Sequence, residues 1–454
     1  MQINELVAKQ RTYFASGVTK SPHFRVEMLK KLKANILAHQ SDILVALKND
    51  LNKSAGETFM AEIGVVLSEL TYFIKHTVSF SKKRPKPTPF VLFKANSYIY
   101  PEPFGVCLIM SPWNYPFQLA MEPLIGCLAA GNTAIVKPAS YAPSTSQLIA
   151  HMLGEIYPEE YVATVLGGRD ANTQLLDQRF DFIFFTGSTN VGRTVMEKAS
   201  KNLTPIALEL GGKSPCIVHD VTDMRLAAKR IAFGKFLNAG QSCVAPDYVL
   251  CKTELKGELI RHLQMAIDDF FGDHPLENPD LPKIINAHHH ERLRGLMSDC
   301  EAVIGGDFNE TQIAPTVLDH VTLDSPIMKE EIFGPLLPIL CYNDIEEAFQ
   351  IIAGIERPLS LYLFTQNRAI EKAVLSRVSF GGGTINDTIM HFASAAIGFG
   401  GVGHSGMGRY HGKASFETFS NLKSIVKRAN WIDINLRYHP YTKTKIAILK
   451  RFLK

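Results

Sequence analysis

The sequence lacks the features that mark a disulfide framework, a zinc site built from cysteines or a membrane-spanning protein. Its 454 residues contain 7 cysteines, an odd number, scattered along the chain without a CxxC pair. Such spacing is typical of reduced thiols. The longest apolar stretch, 124–136, is interrupted by Gly131, Asn132 and Thr133, so it falls short of the ~18 apolar residues that a membrane span needs.

An excess of charge of one sign is also missing. Lys and Arg together number 48 and Asp and Glu 44, which gives a formal net charge of +4. This bias is too weak to indicate nucleic acid as the main partner. Residues 1–14 contain charged side chains and no sustained apolar core, so they do not resemble a secretory signal. We therefore expect a cytoplasmic protein without a nucleic-acid partner.

Apolar periodicity predicts an α/β protein with a large core. Hydrophobic residues make up 46% of the chain, as in ordinary globular proteins. From about residue 24 to 74 they recur at helical spacing. A basic segment with three prolines, 82–90, predicts an extended connector. After it, short apolar runs alternate with helical stretches in two series, which is typical of two parallel sheets covered by helices.

The segment 182–193 (FIFFTGSTNVGR) combines a hydrophobic run, a turn of small residues and a helix start. Gly187 allows a tight turn, and Ser188 places a hydroxyl at a helix N-terminus, whose partial positive charge suits a phosphate. The segment is neither GxGxxG nor a Walker loop. A capped strand-to-helix turn without a ligand explains the same residues, so both interpretations stand.

Two further residues have surroundings that suit chemistry. Cys243 follows small polar residues in NAGQSC, a setting for a reactive thiol, although a lone cysteine is also an ordinary buried apolar group. Glu209 ends a predicted buried strand before a Gly-Gly turn. Such a carboxylate is either a structural hydrogen-bond acceptor or a general base whose pKa is raised by burial.

Three adjacent histidines, His288, His289 and His290, precede Glu291. They do not form the HExxH motif of helical zinc sites. We therefore predict no metal site and expect a solvated helix start at these residues.

Seven motifs, in order along nearly the whole chain, are similar to those of the aldehyde dehydrogenase superfamily. They are SPWNYP (111–116), TAIVKP (133–138), FTGSTNVG (185–192), LELGGKSP (208–215), GQSC (240–243), EEIFGP (330–335) and FGGVGHSGMG (399–408). The short N-terminal region and the RYHPY motif at 437–441, beyond the last shared motif, resemble the dimeric class 3 branch.

This resemblance implies the aldehyde dehydrogenase fold, with a Rossmann-like cofactor domain, an α/β catalytic domain and a small bridging oligomerisation element. We expect the cofactor domain at 1–80 and 104–208 and the catalytic domain at 209–405. The bridging element and the C-terminal tail are expected at 81–103 and 406–454. The resemblance also implies a homodimer.

The activity that the resemblance implies is NAD(P)-dependent oxidation of an aldehyde to a carboxylic acid. Cys243 is then the nucleophile, which forms a thiohemiacetal and afterwards a thioester. Asn114 and the Cys243 backbone N–H stabilise the oxyanion, and Glu209 activates the hydrolytic water. Relatives that use coenzyme A lack the glutamate, so Glu209 favours hydrolysis, while phosphate-releasing relatives and a catalytically silent homologue with a structural or binding role remain alternatives.

The resemblance also assigns residues to an NAD or NADP site. Ser188 contacts the pyrophosphate, Lys137 the adenine ribose and Glu331 the nicotinamide ribose. The remaining expected members shape the turn and helix start or pack near the nicotinamide: Trp113, Gly187, Thr189, Asn190, Val191, Gly192, Leu210 and Phe333.

One departure from the family pattern concerns cofactor choice. Many relatives have an acid three residues after the lysine, where this chain has Ser140. That acid holds ribose hydroxyls and repels a 2′-phosphate. With Ser140 beside Lys137, we predict use of NADP or of both cofactors.

Family position also suggests a substrate funnel of Tyr115, Leu119 and Phe233, which suits medium-chain aliphatic or aromatic aldehydes. The basic amphipathic tail, AILKRFLK at 447–454, has two interpretations. It is a cover over the substrate entrance or a dimer contact, or it makes a weak contact with an anionic membrane surface.

Overall fold

Helices and strands alternate through most of the chain in the computed structural model, which describes residues 2–453. Met1 and Lys454, the ends of the predicted cofactor domain and tail, lie outside the described residues. The α-helices are α1 (Ile3–Ala15), α2 (Pro22–Ala38), α3 (Gln40–Leu51), α4 (Ala55–Thr58), α5 (Gly64–Phe80), α6 (Gln118–Ala130), α7 (Pro143–Ile156), α8 (Arg169–Leu176), α9 (Thr189–Ser200), α10 (Met224–Phe236), α11 (Lys256–Phe271), α12 (Ala287–Leu296), α13 (Pro326–Lys329), α14 (Ile345–Ala353), α15 (Arg368–Arg377), α16 (Gly412–Thr418) and α17 (Lys443–Phe452). The strands are β1 (Arg84–Lys86), β2 (Ala95–Pro103), β3 (Val106–Met110), β4 (Thr133–Lys137), β5 (Val162–Thr164), β6 (Phe182–Thr186), β7 (Ile206–Glu209), β8 (Pro215–Asp220), β9 (Tyr248–Lys252), β10 (Glu301–Ile304), β11 (Thr316–Asp319), β12 (Leu336–Tyr342), β13 (Ser360–Thr365), β14 (Gly382–Ile385), β15 (Gly406–Met407) and β16 (Ser420–Arg428).

Many helices begin where a polar side chain caps the first turn. The Asp223 carboxylate accepts a hydrogen bond from the Leu226 amide at the start of α10. The Asn286 side chain does the same for the His289 amide at the start of α12. Such caps satisfy amides that have no partner within the helix, so these helices start where the sequence places a short polar residue.

A six-stranded sheet has the order β15-β7-β6-β3-β4-β5. Its strands are parallel except for the short β15. Alternate residues of β3 and β4 pack into two different apolar clusters, one shared with α2, α5, α6 and α7 and the other with α1, α8 and α9. Helices therefore cover both faces, which is why these strands are apolar along their whole length.

The carboxyl ends of these strands meet at one edge of the sheet. Lys137 ends β4, Thr186 ends β6 and Glu209 ends β7, and Thr186 is the register partner of Glu209. Met110, at the end of β3, pairs with Lys137. In open α/β sheets this is the edge at which ligands bind.

A seven-stranded sheet follows, with the order β10-β11-β12-β9-β8-β13-β14. Its neighbours are parallel except for β10 and β11. The two apolar series of the sequence therefore correspond to two mainly parallel sheets, and the predicted α/β class is confirmed.

The third sheet is antiparallel and joins distant parts of the chain. Its order is β1-β2-β16, and β2 pairs with β16 along nine residues, from Ala95 with Arg428 to Pro103 with Ser420. The Pro-rich segment supplies β1 and its extended connection, as the sequence predicts. Within residues 2–453, no helix combines the length and the hydrophobicity that crossing a bilayer requires.

Two elements of the C-terminal region bear on the expected domain boundaries. β15 and α16 lie within 406–454, which we expected to form the bridging element and tail. However, β15 pairs with β7 of the six-stranded sheet, and α16 packs on α5 and α6. The exact boundaries of the three domains stay a prediction.

Candidate active site

A cleft of 1930 Å³ opens at the carboxyl edge of the six-stranded sheet and extends to loops of the seven-stranded sheet. It brings together most of the residues that the sequence singled out. These are Trp113, Asn114, Leu119, Lys137, Ser140, Gly187, Ser188, Thr189, Asn190, Val191, Glu209, Leu210, Cys243, Glu331 and Phe333.

The loop before Cys243 has an unusual backbone. Asn238, Ala239 and Gly240 all have left-handed conformations, with φ of 53°, 50° and 69°. A left-handed conformation costs an L-residue roughly 1–2 kcal/mol. At Gly240, a Cβ atom would also lie 2.2 Å from the Gly334 carbonyl oxygen, so glycine is required there. The loop therefore stores strain and presents the thiol to the cleft.

The Cys243 thiol lines the cleft and keeps partial exposure to it. Burial raises its pKa to about 12, and the nearby carboxyl groups of Glu331 and Glu209 act in the same direction. Backbone N–H groups of Cys243 and Val244 oppose that shift. The thiol is therefore protonated at neutral pH, and a nucleophilic role for it would require removal of that proton.

Asn114 is fixed beside the Cys243 loop. Its side-chain amide donates to the Gln241 carbonyl at 3.0 Å, two residues before the cysteine. The backbone carbonyl of Asn114 accepts a hydrogen bond from the Asn238 side-chain amide at 2.8 Å. One Nδ2 hydrogen is used in the bond to Gln241, and the second is available for an oxygen in the cleft.

Glu209 is only 2% exposed, although it lines the cleft. Neither of its carboxylate oxygens has a hydrogen-bond partner among the described residues. Burial raises its pKa well above the usual range, and the positive charge of Arg409 opposes the shift. A buried polar group without a hydrogen-bond partner costs free energy. The Glu209 carboxylate is therefore suited to accept hydrogen bonds from a ligand or water in the cleft.

The turn after β6 has the predicted tight turn and capped helix start. Ser188 caps α9, with its hydroxyl accepting from the Val191 amide at 3.4 Å. Gly187 leaves room for the Phe185 ring, which a Cβ atom would approach to 2.6 Å. The N-terminus of α9, with its partial positive charge, faces the cleft.

Lys137 and Ser140 lie at another part of the same cleft. Lys137 is buried, its ammonium group donates to the Pro138 carbonyl at 2.7 Å, and burial lowers its pKa to about 8. Ser140 is exposed and lies close to Gly168, the residue before α8. Among residues 2–453, the ammonium group thus has one hydrogen-bond partner, which leaves donors for a ligand.

Polar anchors hold the EEIFGP loop, which carries Glu331 and Phe333. The Lys213 ammonium group pairs with Asp247 and donates to the Glu330 carbonyl at 2.8 Å. Arg292 donates to the Ile332 carbonyl at 2.6 Å. The Glu331 carboxyl group lies against Gly211, where a Cβ atom would be 2.0 Å from Oε2. Burial raises the Glu331 pKa to about 8.

Three residues predicted for the site do not line the cleft. Gly192 packs against Leu210, because a Cβ atom added to Gly192 would lie 2.7 Å from Leu210 Cδ2. Tyr115 is buried beneath the Lys53 ammonium group, 3.9 Å from the ring centre. Phe233 is half-buried on α10 against the core. Tyr115 packs with Leu119, which lines the cleft, and the predicted roles of the three residues stay predictions.

The sequence analysis missed His289 as part of the cleft. His289 packs at a tilt against Trp113, with ring centres 5.3 Å apart, and Trp113 in turn meets Phe333 edge to face at 5.4 Å. Burial lowers the His289 pKa to about 4. The expected helix start is confirmed, but the expectation of a solvated segment is wrong for His289 and His290, since only His288 is exposed. The HHH pattern carries no signal for this aromatic contact.

The cleft fits a dinucleotide cofactor. Its volume exceeds the roughly 300–1,000 Å³ of most small-molecule sites, so a cofactor and a substrate have room together. A helix N-terminus suits the pyrophosphate, while the buried Lys137 and the Glu331 carboxylate suit ribose hydroxyls.

Residues 1–425 match the aldehyde dehydrogenase family. The chain belongs to this family. It is 45% identical over 448 residues to the 4,4′-diaponeurosporen-aldehyde dehydrogenase of Staphylococcus aureus, covering 98% of this chain and 97% of that protein. It is 40% identical to a dimeric, NADP-preferring aldehyde dehydrogenase of Canis lupus familiaris, covering 97% and 98%. A solved structure described as the substrate-bound state of Staphylococcus aureus AldH superimposes with a TM-score of 0.97 at 44% identity, covering 100% of both chains.

These matches confirm the resemblance seen in the motifs and the predicted fold. The aldehyde dehydrogenase described here is an NAD(P)-dependent oxidoreductase that acts on aldehydes. The alternative of a catalytically silent homologue is not favoured.

Proposed function

We propose that Cys243 is the nucleophile, that Asn114 and the Cys243 backbone N–H stabilise the oxyanion, and that Glu209 activates water. The observation that carries this proposal is the convergence of Asn114, Glu209 and Cys243 on one cleft. The Asn114 amide is tied to the cysteine loop at 3.0 Å, so the donor and the nucleophile keep a fixed relation. Such preorganisation is the usual source of oxyanion stabilisation.

The chemistry of these residues accounts for each step. The Cys243 thiolate adds to the aldehyde carbon, and the oxygen that becomes negative accepts a hydrogen bond from Asn114. A nicotinamide bound in the cleft supplies the hydride acceptor. Loss of hydride from the tetrahedral carbon leaves a thioester on Cys243. Water, deprotonated by Glu209, then attacks the thioester carbon, which releases the carboxylic acid and the thiol.

Glu209 supports a hydrolytic outcome over acyl transfer to another acceptor. Its oxygens have no partner among the described residues, so the side chain can turn toward water without breaking a protein contact. Burial raises its pKa, which makes its carboxylate a stronger base once ionised.

Dual cofactor use is the second part of the proposal. Ser140 is exposed at the cleft beside Gly168 and Arg169. No carboxylate occupies the Ser140 position to repel a 2′-phosphate, and Arg169 offers a positive charge nearby. We expect comparable kcat/KM with NAD and NADP. A strong preference for NAD would contradict this expectation.

The proposed substrates are medium-chain aliphatic or aromatic aldehydes. Leu119 and Trp113 give the wall near Cys243 an apolar character. The test follows the absorbance of reduced nicotinamide with aldehydes from acetaldehyde to decanal, with benzaldehyde and with 4,4′-diaponeurosporen-aldehyde, each with NAD and NADP. Turnover that rises with chain length and disappears in Cys243→Ala is expected. Equal rates for short and long aldehydes would exclude the apolar funnel, and activity retained by Cys243→Ala would exclude the nucleophile.

A homodimer in the cytoplasm is the proposed setting. Phe90, Val426 and Trp431, near or within the three-stranded sheet, are 72%, 52% and 72% exposed, which suits an interface.

Leu6 and Val7 of α1 are buried against the six-stranded sheet, so the first helix is part of the fold. Light scattering should give twice the chain mass, and cell fractionation tests the location.

The tail is proposed to touch anionic membranes weakly. α17 carries exposed Lys443, Lys450 and Arg451, and Phe452 stacks on Phe90 with ring centres 6.1 Å apart. Basic side chains beside apolar rings suit an anionic surface. Co-sedimentation with phosphatidylserine vesicles at low salt tests this, and its absence would leave the tail as a cover or a dimer contact.

A further inference from the structure

A cluster outside the cleft combines two imidazoles and a carboxylate. His39 lies between α2 and α3, while His151 and Glu155 lie one turn apart on α7. One ligand atom from each of the three lies within 4.8 Å of the other two. We propose that His39, His151 and Glu155 bind a divalent transition-metal ion, with Zn²⁺ as the ion that fits this ligand set.

The distances in the cluster are close to those of a metal site. Glu155 Oε2 lies 2.9 Å from His39 Nε2, and Glu155 Oε1 lies 3.1 Å from His151 Nε2. Two ligands that are each about 2.0–2.1 Å from a tetrahedral zinc ion are about 3.4 Å apart. Small side-chain rotations therefore convert this cluster into three ligands of one ion, with a fourth position left for water.

The outer contacts orient the ligands. His39 Nδ1 lies 2.7 Å from Asp42 Oδ2, which fixes the Nδ1–H tautomer and leaves Nε2 as the ligand atom. The Asn35 side-chain amide donates to Glu155 Oε2 at 3.0 Å. A carboxylate behind a ligating histidine is the arrangement that metal sites use to hold the imidazole and increase its basicity.

The alternative is a simple ion pair in which a protonated His39 lies between two carboxylates. Hydrogen bonds that His39 donates to the Asp42 and Glu155 carboxylates raise the His39 pKa, which suits that form. His151 favours the metal instead. Its ring centre lies 5.9 Å from that of His39 and its Nε2 lies 3.1 Å from Glu155 Oε1, so one ion accounts for all three side chains, whereas an ion pair of His39 does not require His151.

The site would link α7 to α3, two helices that pack against each other. The opposite end of α7 is held by Asp50 of α3, whose carboxylate accepts from the Thr145 amide and hydroxyl at 2.7 Å. α7 also follows the strand that ends at Lys137. A metal ion at His39, His151 and Glu155 therefore joins the C-terminal end of α7 to the start of α3, and we expect it to raise Tm.

The test measures zinc binding by the full chain. Protein stripped with EDTA, dialysed and carbamidomethylated on its accessible thiols is titrated with Zn²⁺ alone by calorimetry. The wild type should bind one Zn²⁺ per chain that His151→Ala and Glu155→Gln do not bind, and Asp42→Asn should weaken that site about 10- to 100-fold. His151 is 62% exposed, so its removal leaves the fold intact.

A matched control is available in another helical His–Glu pair. His262 Nε2 lies 3.8 Å from Glu258 Oε1, four residues away on α11, and the pair is not part of a three-residue metal-ligand group within residues 2–453. His262→Ala should keep the zinc site and the rise in Tm. Zinc affinity and stoichiometry that are unchanged in His151→Ala, or no binding by the wild type, would overturn the proposal.

Discussion

The ammonium group of Lys53 donates a 2.9 Å hydrogen bond to the backbone carbonyl of Asn114. Lys53 is fully buried and also pairs with Glu62 Oε1 at 2.5 Å. The other Glu62 oxygen accepts from the Phe117 and Gln118 amides at 3.1 and 2.9 Å. This buried pair therefore fixes both Asn114, the proposed oxyanion donor, and the start of α6.

Replacement of Lys53 by methionine tests this connection. Removal of one partner of a buried ion pair leaves the other charge uncompensated, which costs about 3–5 kcal/mol of unfolding free energy. We expect Lys53→Met to lose that amount in urea denaturation and to lower kcat more than it raises KM for the aldehyde. Lys30→Met removes an exposed pair with Glu27 and should change both quantities little. Equal stability of the two variants would contradict the structural role of Lys53.

Replacement of Glu209 separates the two halves of the proposed reaction. Glu209→Gln keeps the shape of the side chain but removes the base. Hydride loss from the thiohemiacetal should persist for one turnover, while thioester hydrolysis falls about 10²- to 10⁴-fold, the usual contribution of a general base. Stopped-flow absorbance should show a burst of reduced nicotinamide followed by a very slow steady state. The exposed Glu310→Gln serves as control, and a steady-state rate equal to the wild type would exclude Glu209 as the base.

The raised pKa of Cys243 predicts an alkaline dependence of its reactivity. Burial and the carboxyl groups of Glu331 and Glu209 raise the pKa to about 12, so the protonated thiol dominates below that pH and the thiolate fraction rises about tenfold per pH unit. Mass spectrometry of iodoacetamide-treated free enzyme should show Cys243 alkylation that keeps rising from pH 7 to pH 10. An ordinary thiol levels off above about pH 8.5. A plateau at Cys243 near that pH would contradict the effect of burial.

The architecture could be predicted from the sequence because apolar periodicity and helix caps are local patterns. Apolar runs that alternate with helical stretches predicted the two parallel sheets. Ser188, the polar residue before α9, predicted the start of that helix. Motifs that end a strand, such as Glu209 at the end of β7, meet at one edge because parallel strands share a direction.

Contacts between segments that are distant in the chain have no local sequence pattern by which they could be predicted. The Lys53–Asn114 bond joins residues 61 positions apart, and no spacing rule connects them. The left-handed Ala239 opposes local preference, because the tertiary structure around Cys243 imposes its conformation. Gly192 and Tyr115 belong to two of the motifs, but their contacts with Leu210 and Lys53 depend on packing that only the folded chain displays.

The Gly-Gly turn after Glu209 provides a test of the Glu331 position. A Cβ atom on Gly211 would lie 2.0 Å from Glu331 Oε2, and φ at Gly211 is not in the left-handed region. Gly211→Ala therefore leaves the backbone conformation accessible but displaces the carboxylate proposed to contact the nicotinamide ribose. We expect KM for NAD and NADP to rise about 10-fold or more, because a hydrogen bond to a charged group contributes roughly 1.5–3 kcal/mol. The Tm of the variant should stay close to that of the wild type.

Gly257→Ala is the matched control for that substitution. Gly257 lies in α11, where an added Cβ meets no atom within 4 Å, so alanine fits and favours the helix. Its KM values should equal those of the wild type. If Gly211→Ala also leaves both cofactor KM values unchanged, Glu331 does not hold the ribose. If the two KM values rise by the same factor, the contact lies on the part common to NAD and NADP, as a nicotinamide-ribose contact requires, because the 2′-phosphate that distinguishes them is on the adenine ribose.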